Sequence, residues 1–218
     1  MEYRIHSHRY ALSIVETEPE FTQVWHEIQT AIENITEQEI IDSFMSKGED
    51  RGKSISVAIN ELLKREFINF GWADESPIFQ DPNYNGNNKN EKDTWRLDFA
   101  KENISIEVAF NHSGVIAWNL LKPVLASELN HVQKAIQTQI GVIICATSDM
   151  RIAGGFDSAI GTYEKFIYHL PPLNNQLSTP LLIIGLEAPK TFKIIHRKKP
   201  GKNTKIGIVQ NIAPPLFD

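Results

Sequence analysis

The stretch at residues 95–112, WRLDFAKENISIEVAFNH, alternates apolar and polar residues on both sides of a short polar segment. Successive side chains of a β-strand point to opposite faces, so residues 95–99 and residues 104–110 each present one apolar face. The apolar positions are Trp95, Leu97, Phe99, Ile104, Ile106, Val108 and Phe110. With the polar AKEN segment turning between the two strands, the stretch predicts a β-hairpin.

Two carboxylates follow from the same alternation. Asp98 lies opposite the apolar face of its strand, and Glu107 points away from the apolar face of the next strand, together with Ser105 and Ala109. Neighbouring carboxylates repel each other unless they are solvated, share a proton or hold a cation. Oxygen ligands with open positions suit Mg²⁺ and phosphodiester hydrolysis, whereas a solvated hairpin would carry the same pair without any chemistry.

Length and composition set the general class. A chain of 218 residues is long enough for one well-packed domain, and its single cysteine, Cys145, excludes an internal disulfide framework. No apolar stretch is long enough for a membrane span, and the N-terminus lacks a signal-peptide pattern, so we expect a soluble cytoplasmic protein with no membrane partner. The net charge is -5, but residues 190–205 carry seven Lys or Arg and no acid. That segment is either an anion-binding surface or a solvated hairpin.

The rest of the chain alternates helical and strand patterns. We expect helices at 21–35, 54–70, 115–136 and 158–170, strands at 140–147 and 179–187, a polar and acidic connection at 36–53 and a long loop at 75–94. Pro123 either kinks the third helix or starts its second part. The fold class is therefore α/β, a mixed sheet flanked by helices. We expect one domain over 1–218, with a core at 20–187 and a basic C-terminal hairpin at 188–218.

Several ordered segments resemble one enzyme family. An Asp ending one strand and a Glu ending the next resemble the PD-(D/E)-x-K nuclease core. More narrowly, the chain resembles the BglII/BstYI (BamHI-like) group of type II restriction endonucleases in five ordered segments: VWHEIQTAI (24–32), VAINELLKREFINFGW (57–72), LDFAKENISIEVAF (97–110), FDSAIGTYE (156–164) and TPLLIIGL (179–186). The resemblance implies a restriction-endonuclease-like core over most of residues 20–187.

The resemblance also assigns roles by position. It implies that Asp98 and Glu107 bind Mg²⁺, with the backbone carbonyl of Val108 as a further ligand. Contacts to double-stranded DNA are implied for two loops, which contain Asn111, His112, Ser113, Asp157 and Ser158. For His112 and Ser158 a loop residue with local hydrogen bonds is an equal alternative.

One position departs from the pattern. Ala109 stands where the superfamily has lysine and the resembled group has glutamine, and alanine can neither orient water nor stabilise charge. We expect Glu61, Asn111, His112 or Lys101 to take that role, or the metal ions and their waters to suffice, unless the site is impaired. Glu61 could instead be a surface glutamate beside Lys64.

The function that these observations favour is Mg²⁺-dependent, sequence-specific cleavage of double-stranded DNA by a homodimer at a short palindrome. The resemblance makes a GATC-centred site the first candidate and implies a cognate DNA methyltransferase as a genetic partner. The alternative is a catalytically impaired protein of the same fold that binds DNA without cutting. A nucleotide-binding enzyme or Gly-x-Ser-x-Gly hydrolase is not supported, because the corresponding glycine motifs are missing.

Overall fold

A computed structural model describes residues 1–81, 84, 95–128, 131–199 and 204–212. The strands are β1 Tyr3–His8, β2 Ala73–Pro77, β3 Arg96–Lys101, β4 Ile104–Val108, β5 Ile140–Ala146, β6 Leu181–Leu186, β7 Phe192–Lys198 and β8 Lys205–Asn211. The helices are α1 Ala11–Thr17, α2 Pro19–Glu33, α3 Glu37–Ser46, α4 Ser56–Asn69, α5 Ile116–Ser127, α6 Ser148–Ala153 and α7 Tyr163–His169. No helix in these described ranges is long and apolar enough to cross a membrane.

The described strands form one mixed sheet and one separate hairpin. The sheet has the order β1-β6-β5-β4-β3-β2, in which β4, β5 and β6 run parallel to one another and the other neighbours pair antiparallel. Strands β5 and β6 are buried at every position, which explains their continuous apolar sequences. The predicted α/β class, the β3–β4 hairpin and the two central strands are confirmed.

Helices cover both faces of this sheet. On one face, α2 and α4 pack their buried stripes against Ile104, Ile106 and alternate residues of β5 and β6. On the other face, α5 and α7 pack against Ala109 and the intervening residues of β5 and β6. Because side chains alternate along this strand, Ile106 faces α2 and α4 whereas Ala109 faces α5, as the sequence predicts. The same alternation places Glu107 on the α5 side.

Helix α5 lies unusually close to the sheet. A Cβ atom added at Gly141 of β5 would lie 2.3 Å from the Cβ atom of Pro123, in the second half of α5. Only a residue without a side chain leaves room for this contact. The approach brings the residue before Pro123, Lys122, over the end of β4.

The C-terminal basic segment forms the second, two-stranded sheet. Strands β7 and β8 pair antiparallel, which confirms the predicted hairpin, although residues 200–203 of its turn lie outside the described residues. Phe192 and Ile194 enter the main core, while Lys193 and Arg197 remain exposed on the opposite face. The Gly207 amide donates a hydrogen bond to the Gly52 carbonyl and attaches the hairpin to the segment before α4.

Regular structure forms in two segments, 36–53 and 75–94, for which the sequence predicts none. The segment 36–53 contains α3, whose N-terminus is closed by a capping box between Thr36 and Glu39. The segment 75–94 begins with the last residues of β2, while most of its remainder lies outside the described residues. Strand β2 reads ADESP, and such a polar, short edge strand carries no apolar alternation by which it could be recognised. Strand β1 and helices α1 and α6 were also not predicted.

Two predicted helices are shorter in the structure. The helix expected over 115–136 ends at Ser127, because residues 133–135 instead exchange backbone hydrogen bonds with Ile78 and Gln80. The helix expected over 158–170 begins at Tyr163, because the Gly161 amide donates to the Asn111 carbonyl. In both places pairing with a distant segment overrides the local helical pattern.

A candidate active site at the β3–β4 hairpin

Asp98, in the first half of β3, lies side by side with Glu107, near the end of β4. The antiparallel register pairs Phe99 with Ile106, so the residue before Phe99, Asp98, lies across from the residue after Ile106, Glu107. The Val108 amide donates a hydrogen bond to Asp98 Oδ2 at 2.6 Å. The hairpin therefore brings the two carboxylates together, as the alternation of its sequence predicts.

Burial controls the protonation of both acids. Glu107 is only 2% exposed, and burial raises its pKa to about 8, with the charge of Asp98 adding to the rise. Burial also raises the pKa of Asp98, which the Val108 amide and the charge of Lys122 oppose. A site that is this poorly solvated favours the ionised carboxylates only when positive charge is brought to them.

Lys122 supplies one such charge. Its Nζ atom donates a hydrogen bond to Glu107 Oε2 at 2.7 Å, and its side chain is 12% exposed. The same helix, α5, also reaches the chain after β4, because Asn119 Nδ2 donates to Asn111 Oδ1 at 3.1 Å. Asn119 and Lys122 are three residues apart and so share one face of the helix.

The second oxygen of Glu107 indicates where a cation fits. Glu107 Oε1 is buried and accepts no hydrogen bond from any described residue, an arrangement that costs free energy unless a partner is present. A hard cation held by Asp98, Glu107 and a backbone carbonyl would supply that partner. In the described part of the chain no three His, Cys, Asp or Glu side chains cluster, so most coordination positions would remain for water and substrate oxygens.

A cleft gives access to Asp98 from the side of α4. It is lined by Asn60, Lys64, Asp74, Glu75, Asp98, Phe99 and Val108. Lys64 forms an exposed ion pair with Asp74 across this cleft. Glu75 has a positive φ of 49°, which is uncommon for a residue with a side chain.

The two loops expected to contact DNA are adjacent in the structure. His112 pairs with Ile160, and the Ser113 amide donates to the Ala159 carbonyl at 2.7 Å. The side chains of Asn111, His112, Asp157 and Ser158 are exposed there, and Ser113 is half-buried. The loops thus form one polar surface just beyond the end of β4.

Two expected residues are not in the site. Glu61 is exposed on the opposite side of α4, where it pairs with Lys47 at 2.6 Å and accepts a hydrogen bond from Ser43 of α3. Its neighbour Asn60 lines the cleft instead, because consecutive helical residues point about 100° apart. Lys101 pairs with Glu27 at 2.8 Å on the α2 side of the sheet and donates to the Phe70 carbonyl.

The residues that the sequence reading missed are Lys122, Asn119 and Asn60. A signal for Lys122 was present, because it is the one charged residue in the apolar helical run IAWNLLKPVLAS. A lone lysine in such a run must either reach solvent or find a carboxylate. What the sequence alone did not supply was the partner, Glu107, fifteen residues earlier.

The sequence matches the model of the family "Restriction endonuclease BglII/BglIII" over residues 3–186. The chain belongs to this restriction endonuclease family. The fold is similar to restriction endonuclease BglII complexed with a DNA 16-mer (TM-score 0.65, 18% identity) and to free BglII (TM-score 0.54, 17% identity). Each comparison covers 97% of this chain and 100% of the BglII chain. No curated protein sequence matches it.

Membership of the family and the shared fold indicate a type II site-specific deoxyribonuclease. Restriction endonucleases of this family bind double-stranded DNA and generally use divalent metal ions. The matched range contains both acids, Lys122 and the two loops, whereas the β7–β8 hairpin lies beyond it.

Proposed function

We propose that this restriction endonuclease hydrolyses DNA phosphodiesters with Mg²⁺ held by Asp98, Glu107 and the backbone carbonyl of Val108. The observation that supports the proposal most strongly is the uncommitted, buried Oε1 atom of Glu107 next to a second carboxylate. Such a donor set, with only oxygen atoms and few protein ligands, suits Mg²⁺ better than a softer metal.

The protein residues would position the reaction rather than carry out covalent chemistry. When bound, Mg²⁺ would activate water and offset the charge that develops on the phosphate. Asp98 is held in place by the Val108 amide, and Glu107 is held by Lys122. In the reaction the oxygen of water forms a bond to phosphorus, one P–O bond to a sugar breaks, and the leaving oxygen takes up a proton.

We propose that Asn111, His112, Ser113, Asp157 and Ser158 contact the DNA beside the cleaved bond. Most of these side chains are exposed, they offer both donors and acceptors, and their loops are joined by backbone hydrogen bonds. Donors and acceptors of this kind can read the edges of bases in the major groove. Asn111 would also link recognition to the site, because it is tied to α5 through Asn119.

We propose a homodimer with α5 as its dimer element, since two-fold protein symmetry matches a palindromic site. The resemblance to the BglII and BstYI enzymes, within the BamHI-like group of the PD-(D/E)-x-K superfamily, supports a GATC-centred site as the first to test. It also supports a cognate DNA methyltransferase encoded nearby as a genetic partner.

Digestion of unmethylated plasmid DNA tests the proposal. Wild type is expected to give discrete fragments with Mg²⁺ and none with a chelator, and Asp98→Ala is expected to give none in either buffer. The matched control is Glu61→Gln, which alters an acid that the fold places outside the site and should therefore cut like wild type. Cutting by Asp98→Ala, or cutting in chelator, would overturn the metal role assigned to Asp98.

The second candidate function is DNA binding without cleavage, which alanine at position 109 favours. The same digestion separates the two candidates, because a protein that binds without cutting leaves the plasmid intact in Mg²⁺ and still retards it in a gel. Lys122 argues against DNA binding without cleavage, because its ammonium beside Glu107 provides the positive charge that Ala109 lacks.

A further inference from the structure

The site lacks a cation on β4 but contains one from another element. Ala109 is 2% exposed and packs among apolar residues of α5 and β5, so position 109 contributes no charge. The ammonium of Lys122, on α5, reaches Glu107 from fifteen residues further along the chain. Its positive charge also acts on Asp98, where it partly opposes the rise in pKa that burial causes.

We propose that Lys122 is the catalytic cation of this enzyme: it contacts the phosphate to be cleaved and replaces the lysine missing at position 109. This inference rests on the proposed function. Lys122 stabilises the negative charge on the phosphate oxygens while the oxygen of water bonds to phosphorus and the bond to the sugar oxygen breaks. A fixed ammonium performs this task well in a poorly solvated site.

The fold holds Lys122 in place before any substrate arrives. Pro123 lies against Gly141 without an intervening side chain, which fixes the height of α5 above the sheet. One helical turn earlier, Asn119 is bonded to Asn111. These two contacts flank Lys122 along the helix, so its ammonium is preorganised rather than recruited from solvent.

Two other lysines near β3 and β4 are less suited to this role. Lys101 is committed to Glu27 and to the Phe70 carbonyl on the other side of the sheet. Lys64 does line the cleft, but its side chain is 50% exposed and pairs with Asp74. An exposed, paired lysine is screened by solvent and contributes little to a charge that develops inside the site.

The test compares Lys122→Met, which keeps the length of the side chain without its charge, with Lys122→Arg, which keeps the charge. The matched control is Lys101→Met, which removes a half-buried lysine at the end of β3. Single-turnover cleavage with Mg²⁺ is expected to slow by about 100-fold or more for Lys122→Met, to recover at least in part for Lys122→Arg, and to stay near wild type for Lys101→Met. Melting curves verify that each variant is folded.

A second readout needs neither metal nor cleavage. DNA binding is measured in chelator by mobility shift over a range of salt concentrations. If Lys122 contacts a phosphate, Lys122→Met lowers the slope of log affinity against log salt by about one per subunit. A lysine that only supports Glu107 would leave this slope unchanged, as Lys101→Met is expected to do.

Three results would overturn the inference. The first is a Lys122→Met enzyme that cuts within about threefold of wild type, which leaves the proposed function intact. The second is slow cutting with an unchanged salt slope, which assigns Lys122 a purely structural role. The third is a folded wild type that cuts no DNA, which overturns the proposed function as well.

Discussion

Glu107 is the central residue of the active site that we propose. Its carboxylate is almost fully buried, lies next to Asp98, and has one oxygen bonded to Lys122 and one without a described partner. Each of these features disfavours or compensates the negative charge. A divalent cation bound here would therefore favour the ionised form of Glu107 and provide a partner for its second oxygen.

The raised pKa of Glu107 predicts how stability depends on pH in the absence of metal. The unfolded chain loses this proton near the ordinary pKa of 4.5, whereas the folded protein keeps it up to about 8. The folded state thus binds more protons in this window, so the free energy of unfolding falls as pH rises from about 4.5 to about 8.

Thermal melting in chelator between pH 5 and pH 8 measures this effect. We expect the melting temperature of wild type to fall with pH by more than that of Glu107→Gln, which cannot ionise. The two proteins melting in parallel across the window would contradict the assignment. With Mg²⁺ present the wild-type slope should shrink, because a cation favours the ionised form.

At the residue scale, the two acids could be predicted and the lysine could not. Asp98 and Glu107 follow from a period of two, which every strand obeys. Lys122 and Asn119 reach the site only because α5 packs across the end of β4, and that arrangement is tertiary. The misplaced Glu61 shows the same limit, since a helical pattern locates a helix but leaves one residue of uncertainty about which side chain faces a cleft.

At the scale of elements, the position of α5 depends on one glycine. Any side chain at Gly141 would collide with Pro123 and would have to push α5 away from β5. Overpacking of this kind costs about 1–3 kcal/mol. It would also move Lys122 relative to Glu107.

We therefore expect Gly141→Ala to lower the melting temperature and to slow cleavage more than it weakens DNA binding. Gly52→Ala is the control, because a Cβ there meets nothing closer than 4.0 Å. Melting curves and single-turnover rates on the two variants check this. Normal cleavage by a destabilised Gly141→Ala protein would show that the exact height of α5 is unimportant.

We propose that the β7–β8 hairpin holds DNA phosphates without reading sequence. Its apolar face is buried, its exposed face carries Lys193 and Arg197, and Ile194 packs against Gly155, two residues before Asp157. Contacts to phosphate raise affinity for every sequence and make binding sensitive to salt.

The double change Lys193→Gln/Arg197→Gln should weaken binding to cognate and unrelated DNA by a similar factor and lower the salt slope. The control is Arg4→Gln, which removes a cation from β1, an edge strand of the main sheet. It should change neither the affinity for DNA nor the salt slope. Mobility shifts on both kinds of DNA measure the effect. A loss confined to cognate DNA would mean that the hairpin reads bases.

Elements with strong periodicity could be predicted, and those set by their neighbours could not. Strands β3 to β6 and helices α2 and α4 have clear apolar patterns, and the alternation around β7 and β8 also predicted their hairpin. By contrast, β2 is polar because it lies at an edge, and the chain after Ser127 leaves the helix to pair with Ile78. The capping box that begins α3 was a readable local signal that the polar composition of 36–53 obscured.

At the scale of the whole molecule, the main sheet brings together three parts of the proposed site. The β3–β4 hairpin carries the acids, the sheet's α5 face supplies Lys122, and the two loops beyond β4 form the polar surface next to them. A type II restriction endonuclease needs cleavage and recognition at the same place on DNA. The residues that we propose for both tasks are arranged around the end of a single strand, β4.

The central claim is that this chain cuts DNA at one short palindrome with a divalent cation. The most direct test is to digest unmethylated phage DNA with the wild-type protein, with Mg²⁺ and with chelator, and to sequence both strands at the fragment ends. We expect all ends from the Mg²⁺ reaction to share one palindromic sequence, cut at a constant offset on each strand, and the chelator reaction to give none. Intact DNA with Mg²⁺, or ends that share no sequence, would contradict it.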